Sequence, residues 1–156
     1  MPIAHRLKWY LESHHVDYEV VPHAHTSAML ESARVAHVPG GRVAKCVLLE
    51  DDRGYIMAIV PASCRLDLHE IDRTLERHLA LATEPELEDI FVGCEPGAIP
   101  AVGAAFNVPA AIDLSLFRLP DVYFDEGDHA GLVHVSGAAF KGLVEGSASG
   151  HFGRPQ

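Results

Sequence analysis

The chain predicts an α+β domain, and three observations carry that prediction. About six short apolar runs read as strands, several of them separated only by turn residues. Amphipathic segments sit at both ends and in the middle of the chain instead of alternating one-for-one with the strands. No strand runs into a dinucleotide glycine fingerprint or a Walker loop. At 156 residues with 48% hydrophobic content, one well-packed domain is expected.

Ile3, Leu7, Tyr10, Leu11 and His14 recur at helical spacing, with Arg6, Lys8 and Glu12 on the other side, which predicts an amphipathic helix over 3–14. A short strand over 18–21 follows. Beyond Pro22, the run His23-Ala24-His25-Thr26-Ser27 supplies an N-cap for a second helix that stops before Pro39-Gly40-Gly41. Val43-Ala44-Lys45-Cys46-Val47-Leu48-Leu49 reads as a strand, Asp51-Asp52-Arg53-Gly54 as a turn, and 55–60 as the hairpin partner. Asp67 with Glu70, and Thr83 with Glu86, have capping-box spacing ahead of Leu68, Ile71, Leu75 and Leu79, and of Leu87, Ile90 and Phe91. Residues 93–103 hold too much Gly and Pro for a regular element and form a shaped loop. Strands near 110–114, 122–124 and 132–135 come next, the last two joined across Asp125-Glu126-Gly127-Asp128-His129. A helix over 138–144 ends the domain, taken as 1–145, and the Gly/Ser-rich segment 146–156 is expected to be a flexible tail.

Twenty-two acids against twelve Lys and Arg leave a net charge of -10, which opposes gripping nucleic acid by bulk electrostatics; no DNA partner is expected, although a local basic mouth stays open. Cys46, Cys64 and Cys94 are odd in number and widely spaced, so no disulfide framework is expected. Neither a signal-peptide core nor a membrane-length apolar run is present, and a reducing, cytoplasmic setting without a membrane partner is expected. His23-x-His25 and His14-His15 lack the companion spacing of a zinc site, so neither metal nor cofactor is expected. Cys46 adjoins Lys45 in sequence, but alternation turns the two side chains to opposite faces, and no serine-hydrolase elbow occurs.

Lys45 is the anomaly. It shares a strand face with Val43, Val47 and Leu49, where an unpaired ammonium costs several kcal/mol. The chain must give it a carboxylate, a mouth to water or an anionic ligand. The plainer alternative is a stem lying on the core with its head reaching solvent. His129, in the turn after Gly127 and Asp128, either points into a cleft or sits exposed. Gly97-Ala98-Ile99-Pro100 is either an ordinary rigid turn or a wall whose backbone N–H groups face a ligand.

In their order along residues 20–143, several stretches resemble the YbaK/prolyl-tRNA synthetase-associated editing-domain family, in its free-standing deacylase branch. They are His25-Thr26 ahead of a helix, Val43-Ala44-Lys45, Tyr55-x-Met57-Ala58-Ile59-Val60-Pro61, Gly93-Cys94-Glu95-Pro96-Gly97-Ala98-Ile99-Pro100, Ile112-Asp113-x-Ser115-Leu116 and Gly127-Asp128-His129. The resemblance implies a single mixed, mostly antiparallel, barrel-like sheet of about six or seven strands flanked by helices. It implies hydrolysis of the ester on the 3' end of a mischarged tRNA carrying a small amino acid, with tRNA-Pro-type substrates favoured and an aminoacyl-tRNA synthetase as a further partner. Lys45 and His129 take the catalytic positions. His25, Thr26, Gly97, Ala98, Ile99, Pro100, Gly127 and Asp128 take the substrate-binding ones. The family loop often reads Gly-x-x-x-Pro; here Ala101 holds the last place and Pro100 precedes it.

The missing nucleophile fits this chemistry. An aminoacyl ester is already activated, and a gain of about 10³ to 10⁴ in rate needs roughly 4 to 5.5 kcal/mol, within reach of placed backbone donors and one cation. Pocket volume would then set selectivity, as in a second sieve. If tRNA is the substrate, Arg6, Lys8, Arg34, Arg42, Lys45 and Arg65 are the cations to gather at one opening, with the carboxylates of 84–89 facing away. Two other classes remain: a non-catalytic module of the same fold recognising an amino acid, a nucleotide or a synthetase, and a hydrolase of another activated acyl ester.

Overall fold

The computed structural model describes residues 4–156, so Ile3 of the first predicted helix lies outside the described residues. Helix α1 (His5–Ser13) buries Leu7 and Leu11, one turn apart, and leaves its charged side to water. Strand β1 (Glu19–Pro22) follows. Helix α2 (Met29–Val35) starts without a side-chain cap, contrary to expectation, because the N-cap position falls on Ala28, while the Thr26 hydroxyl is engaged by Ser32 Oγ at 2.5 Å. Strands β2 (Ala44–Asp51) and β3 (Gly54–Pro61) form the predicted hairpin.

Two short strands and two helices come next. Strand β4 (Cys64–Leu66) leads to α3 (Leu68–Leu75), where Asp67 accepts from the Glu70 N–H at 3.0 Å. The reciprocal half of that box is missing because the Glu70 carboxylate pairs with Arg73. Glu76 adopts a left-handed conformation at φ 54° and ends the helix, which leaves Leu79 beyond it. Strand β5 (Ala80–Leu81) precedes α4 (Glu84–Ile90), which carries the full Thr83–Glu86 capping box.

Strands β6 (Ala110–Asp113), β7 (Asp121–Asp125) and β8 (Gly131–Ser136) fall where expected, and α5 (Gly137–Leu143) is capped by Ser136. The segment expected to be a flexible tail instead forms β9 (Ala148–Gly150) and β10 (Gly153–Pro155). The buried Asp113 carboxylate holds it, accepting from the backbone N–H groups of Phe152 and Gly153 at 2.8 Å each, while the Phe152 ring is wholly buried. Small polar residues suggested disorder; one aromatic side chain and one buried acceptor overrule them.

The described residues thus contain five α-helices and ten strands in three sheets, ordered β5-β2-β3-β6-β9, β1-β8-β7 and β10-β4. Pairing is antiparallel except for β3–β6 and β6–β9. The larger sheets touch through an isolated parallel bridge, Val43 with Tyr123, and no closed barrel forms among the described residues. The largest apolar cluster draws on Ala44, Leu48, Met57 and Ile59 of one sheet and Val122, Phe124, Val133 and Val135 of the other, so these two faces share a core. The opposite face of the hairpin, with Leu49, Ile56 and Val60, is covered by Ile71 of α3 and by Phe152. Met29 and Ala33 of α2 cover Val43, Ala62 and Leu132.

Because Phe152 fills a closed site, Phe152→Ala is expected to cost about 3 to 5 kcal/mol in urea unfolding. A loss below about 1 kcal/mol would make the C-terminal ribbon peripheral.

Candidate functional site

Asp125 ends β7 with its side chain wholly buried, and one oxygen organises the turn that follows. Its Oδ1 accepts from the backbone N–H groups of Gly127, Asp128 and His129 at 2.7, 3.1 and 3.2 Å. The turn needs this support because Gly127 sits at φ 124° and His129 at φ 57°, a region that costs a side-chain-bearing residue about 1 to 2 kcal/mol. The result drives the His129 ring inward, leaving the residue only 2% exposed. Of the two readings open for His129, exposure is excluded.

His129 Nε2 lies 2.9 Å from the Pro96 carbonyl oxygen, so this nitrogen carries a hydrogen and donates it. Nδ1 faces Asp125 Oδ2 at 3.6 Å, too far for a hydrogen bond, and neither atom has another partner. Burial raises the Asp125 carboxyl above its ordinary value, against the pull of the turn N–H groups and His129. Gly97, at φ 77°, passes so close that a Cβ there would lie 3.4 Å from His129 Nε2. Glycine is therefore favoured at 97 on conformational grounds, and a Cβ there would come into ordinary contact with the His129 ring. Ala98, Ile99, Pro100 and Ala101 are all buried, so this stretch is a packed wall.

The His25–Thr26 segment closes over the same group. The Thr26 N–H donates to the His129 carbonyl at 3.1 Å, and the His25 ring stands edge-on to the His129 ring with centroids 6.2 Å apart. His25 Nε2 and Glu95 Oε2 are 2.8 Å apart, and the Glu95 N–H donates to Gly127 at 2.8 Å. His25, Thr26, Gly97, Gly127, Asp128 and His129 therefore converge from three separate parts of the chain.

Lys45 stands apart from them. It lies opposite Val60 on the hairpin face that carries Val47 and Leu49 into the α3 cluster. Burial lowers its pKa, the Cys64 thiol acts in the other sense, and no carboxylate pairs with it among the described residues. No hydrogen bond or ion pair joins Lys45 to the His129 group among the described residues. The connection is by packing: Val43, two residues earlier on the strand, shares a cluster with Met29 and Leu132, and Leu132 is paired with Asp125 across β7–β8.

Three contributors were not legible as such in the sequence. In the sequence Asp125 reads only as a turn residue, although an Asp two residues ahead of Gly is a signal for a side chain that folds back onto the backbone. The Pro96 carbonyl carries no side-chain signature. Glu126 is 3% exposed with its Oε1 unpartnered, and burial, then the nearby Asp128, raises its carboxyl from the ordinary 4.5 to about 8. Gly131 is small to admit it, since a Cβ there would collide with the Glu126 carboxylate.

Burial raises the Cys46 thiol and pushes Cys94 up to about 11, which is the reverse of an activated nucleophile. A groove of about 750 Å³ lies elsewhere, between α1 and α5, where His134 bridges Glu19 at 2.7 Å and Asp121 at 2.9 Å. Its lining includes His14 and His15 but none of the residues that the resemblance makes catalytic or substrate-binding. No helix among the described residues is long and apolar enough to cross a membrane.

A family model described as an aminoacyl-tRNA editing domain matches residues 22–143. A solved candidate trans-editing enzyme for prolyl tRNA synthetase is similar over 99% of this chain and 98% of its own, with 25% identity and TM-score 0.83. A hypothetical protein, 18% identical, superimposes with the same score over 96% and 99% of the two chains. A candidate signal transduction protein from Marinobacter aquaeolei VT8 shares the fold at TM-score 0.76 and 20% identity, over 95% of this chain and 30% of that one. No curated protein matches the sequence.

Asp125→Ala strands three turn N–H groups and is expected to cost about 2 to 4 kcal/mol, whereas Asp125→Asn keeps the Oδ1 acceptor and costs about half as much or less; equal losses in urea unfolding would contradict this. Glu126 sets a pH dependence. Its carboxyl keeps a proton in the folded chain that the unfolded chain releases above about 4.5. Its contribution to stability is full below that pH and is lost as pH rises through about 8. Unfolding at pH 5 and 8 should show a decline in wild type that Glu126→Gln flattens, and parallel curves would remove Glu126 as the cause.

Proposed function

The chain belongs to the aminoacyl-tRNA editing domain family, and on that premise we propose that it is a trans-acting deacylase of mischarged tRNA. Its substrate carries a small amino acid, tRNA-Pro-type substrates are favoured, and the reaction takes place in the cytoplasm with no cofactor. The observation that carries the reading is Lys45, a cation on the face of a core strand with no carboxylate partner among the described residues. An anionic ligand relieves that cost, and the 3' terminal nucleotide of a tRNA supplies one.

Lys45 binds and orients the nucleotide end. Gly97, Ala98, Ile99 and Pro100 wall the aminoacyl end, while Gly127, Asp128, His25 and Thr26 complete its border. Water adds to the ester carbonyl, the bond to the ribose oxygen breaks, and that oxygen leaves with a proton as the hydroxyl. His129 acts in this scheme by fixing the glycine loop against the turn, since its Nε2–H is already donated to Pro96. A solved neighbour described as a candidate trans-editing enzyme for prolyl tRNA synthetase supports the choice of tRNA and makes a synthetase a reasonable donor of substrate.

The alternative, a non-catalytic module recognising an amino acid, nucleotide or synthetase, draws on one observation: both His129 nitrogens already face protein groups. A deacylation panel of Ala, Cys, Ser and Pro esters on several tRNAs separates the two. The enzyme releases at least one small amino acid, and Lys45→Ala, with unchanged far-UV dichroism, loses about 10²-fold or more of that rate. Turnover of no ester would establish the module; unchanged turnover by Lys45→Ala would remove the role given to Lys45.

A further inference from the structure

The β2–β3 hairpin separates charge along its length. Its tip carries Glu50, Asp51 and Asp52, of which Asp51 is paired with Arg77, while Glu86 of α4 is hydrogen-bonded to Tyr55 and lies against Glu50. About seven residue steps away, or roughly 23 Å, are Lys45 and the start of β4. Glu86, of the acids in 84–89, thus sits at the hairpin end away from Lys45. The cations expected to gather there do so only in part. Arg34 is paired with Glu31, Arg42 with Asp121, and Arg6 lies over the Phe106 ring.

A cation that sequence did not single out replaces them. In the β4–β10 ribbon Arg65 lies directly opposite Arg154. Leu66 packs inward on the α3 cluster and Cys64 lies against Gly153, so alternation sends both guanidinium groups outward. Like charges directly opposite on an antiparallel pair destabilise it. Arg154 pairs through Nε with Asp67 at 3.0 Å and donates through Nη1 to the His151 and Gly153 carbonyls, which leaves Nη2 to meet a ligand, while Arg65, which is exposed, has no carboxylate partner among the described residues. The Cys64 thiol on the ribbon's inner face is the group that acts on Lys45. The arginine pair therefore lies beyond the end of the hairpin at which Lys45 sits, opposite the end that carries the acidic turn.

We propose that the outward face of the β4–β10 ribbon, with Arg65 opposite Arg154, receives the sugar-phosphate backbone of the RNA whose 3' end reaches Lys45. This rests on the editing reading. Two adjacent guanidinium groups suit successive phosphates, and they explain how a chain of net charge -10 holds a polyanion.

The test combines two readouts on wild type, Arg65→Gln, the Arg65→Gln/Arg154→Gln pair, and a remote control, Lys141→Gln. Binding of uncharged tRNA is followed by fluorescence anisotropy from 50 to 200 mM salt, and deacylation of mischarged tRNA gives KM and kcat. The pair is expected to lower the slope of log affinity against log salt by about 1.5 and Arg65→Gln alone by about half that. KM rises about tenfold or more for the pair with kcat unchanged, and Lys141→Gln behaves as wild type. Wild-type slopes in both arginine variants overturn the inference while leaving deacylation, and so the editing reading, standing. Loss of slope in a protein that hydrolyses no ester upholds the RNA face and overturns the editing reading instead.

Discussion

Eight consecutive residue pairs join β2 to β3, from Ala44 opposite Pro61 to Asp51 opposite Gly54, and this register decides which side chains meet which core. Ala44, Cys46 and Leu48 face the core shared by the two larger sheets, while Val47 and Leu49 face α3. Lys45 goes with the second group. A slip of one residue would exchange the two sets and drive the ammonium into the larger core, so burial of the hairpin itself holds Lys45 where it is. The same register carries the acidic turn to one end of the molecule and the β4–β10 ribbon to the other.

The rest of the candidate site depends on a buried acid. Asp125 satisfies three successive N–H groups with one oxygen, and without that acceptor His129 would have little reason to stay at φ 57°. From there one ring ties Pro96 and Gly97 to the turn, and one backbone carbonyl ties Thr26. Rigidity here comes from polar groups that water cannot reach, so each bond is hard to lose. That suits a pocket that must hold an already activated ester in place, with no covalent step of its own.

Much of this was legible in the sequence, for identifiable reasons. The hairpin, α4 and the β7–β8 pair announce themselves by alternation, capping residues and turn chemistry, all local signals. The C-terminal ribbon was misread because its order comes from Phe152 and from Asp113, 39 residues away, a contact that local composition cannot report. Strands β5 and β9 are two and three residues long, below the length at which periodicity speaks. The expected barrel came from resemblance and not from the residues, and the sheets stay separate but for the Val43–Tyr123 bridge. Lys45 and His129 stood out for opposite reasons: one is a charge on an apolar strand, the other a ring in a glycine turn. Asp125, which positions the second, was hidden because its work is done through backbone N–H groups.

The central claim is that Lys45 serves as a fixed cation and not as a proton carrier. Single-turnover deacylation of a mischarged tRNA across pH 6 to 9 by wild type, Lys45→Arg and Lys45→Met tests it most directly. A guanidinium keeps its charge throughout that range and cannot act as a base. The account predicts that Lys45→Arg keeps the wild-type pH profile and a rate within about tenfold, far above Lys45→Met. A Lys45→Arg protein as inactive as Lys45→Met, in a wild type whose rate follows the ionisation of one amine, would contradict it.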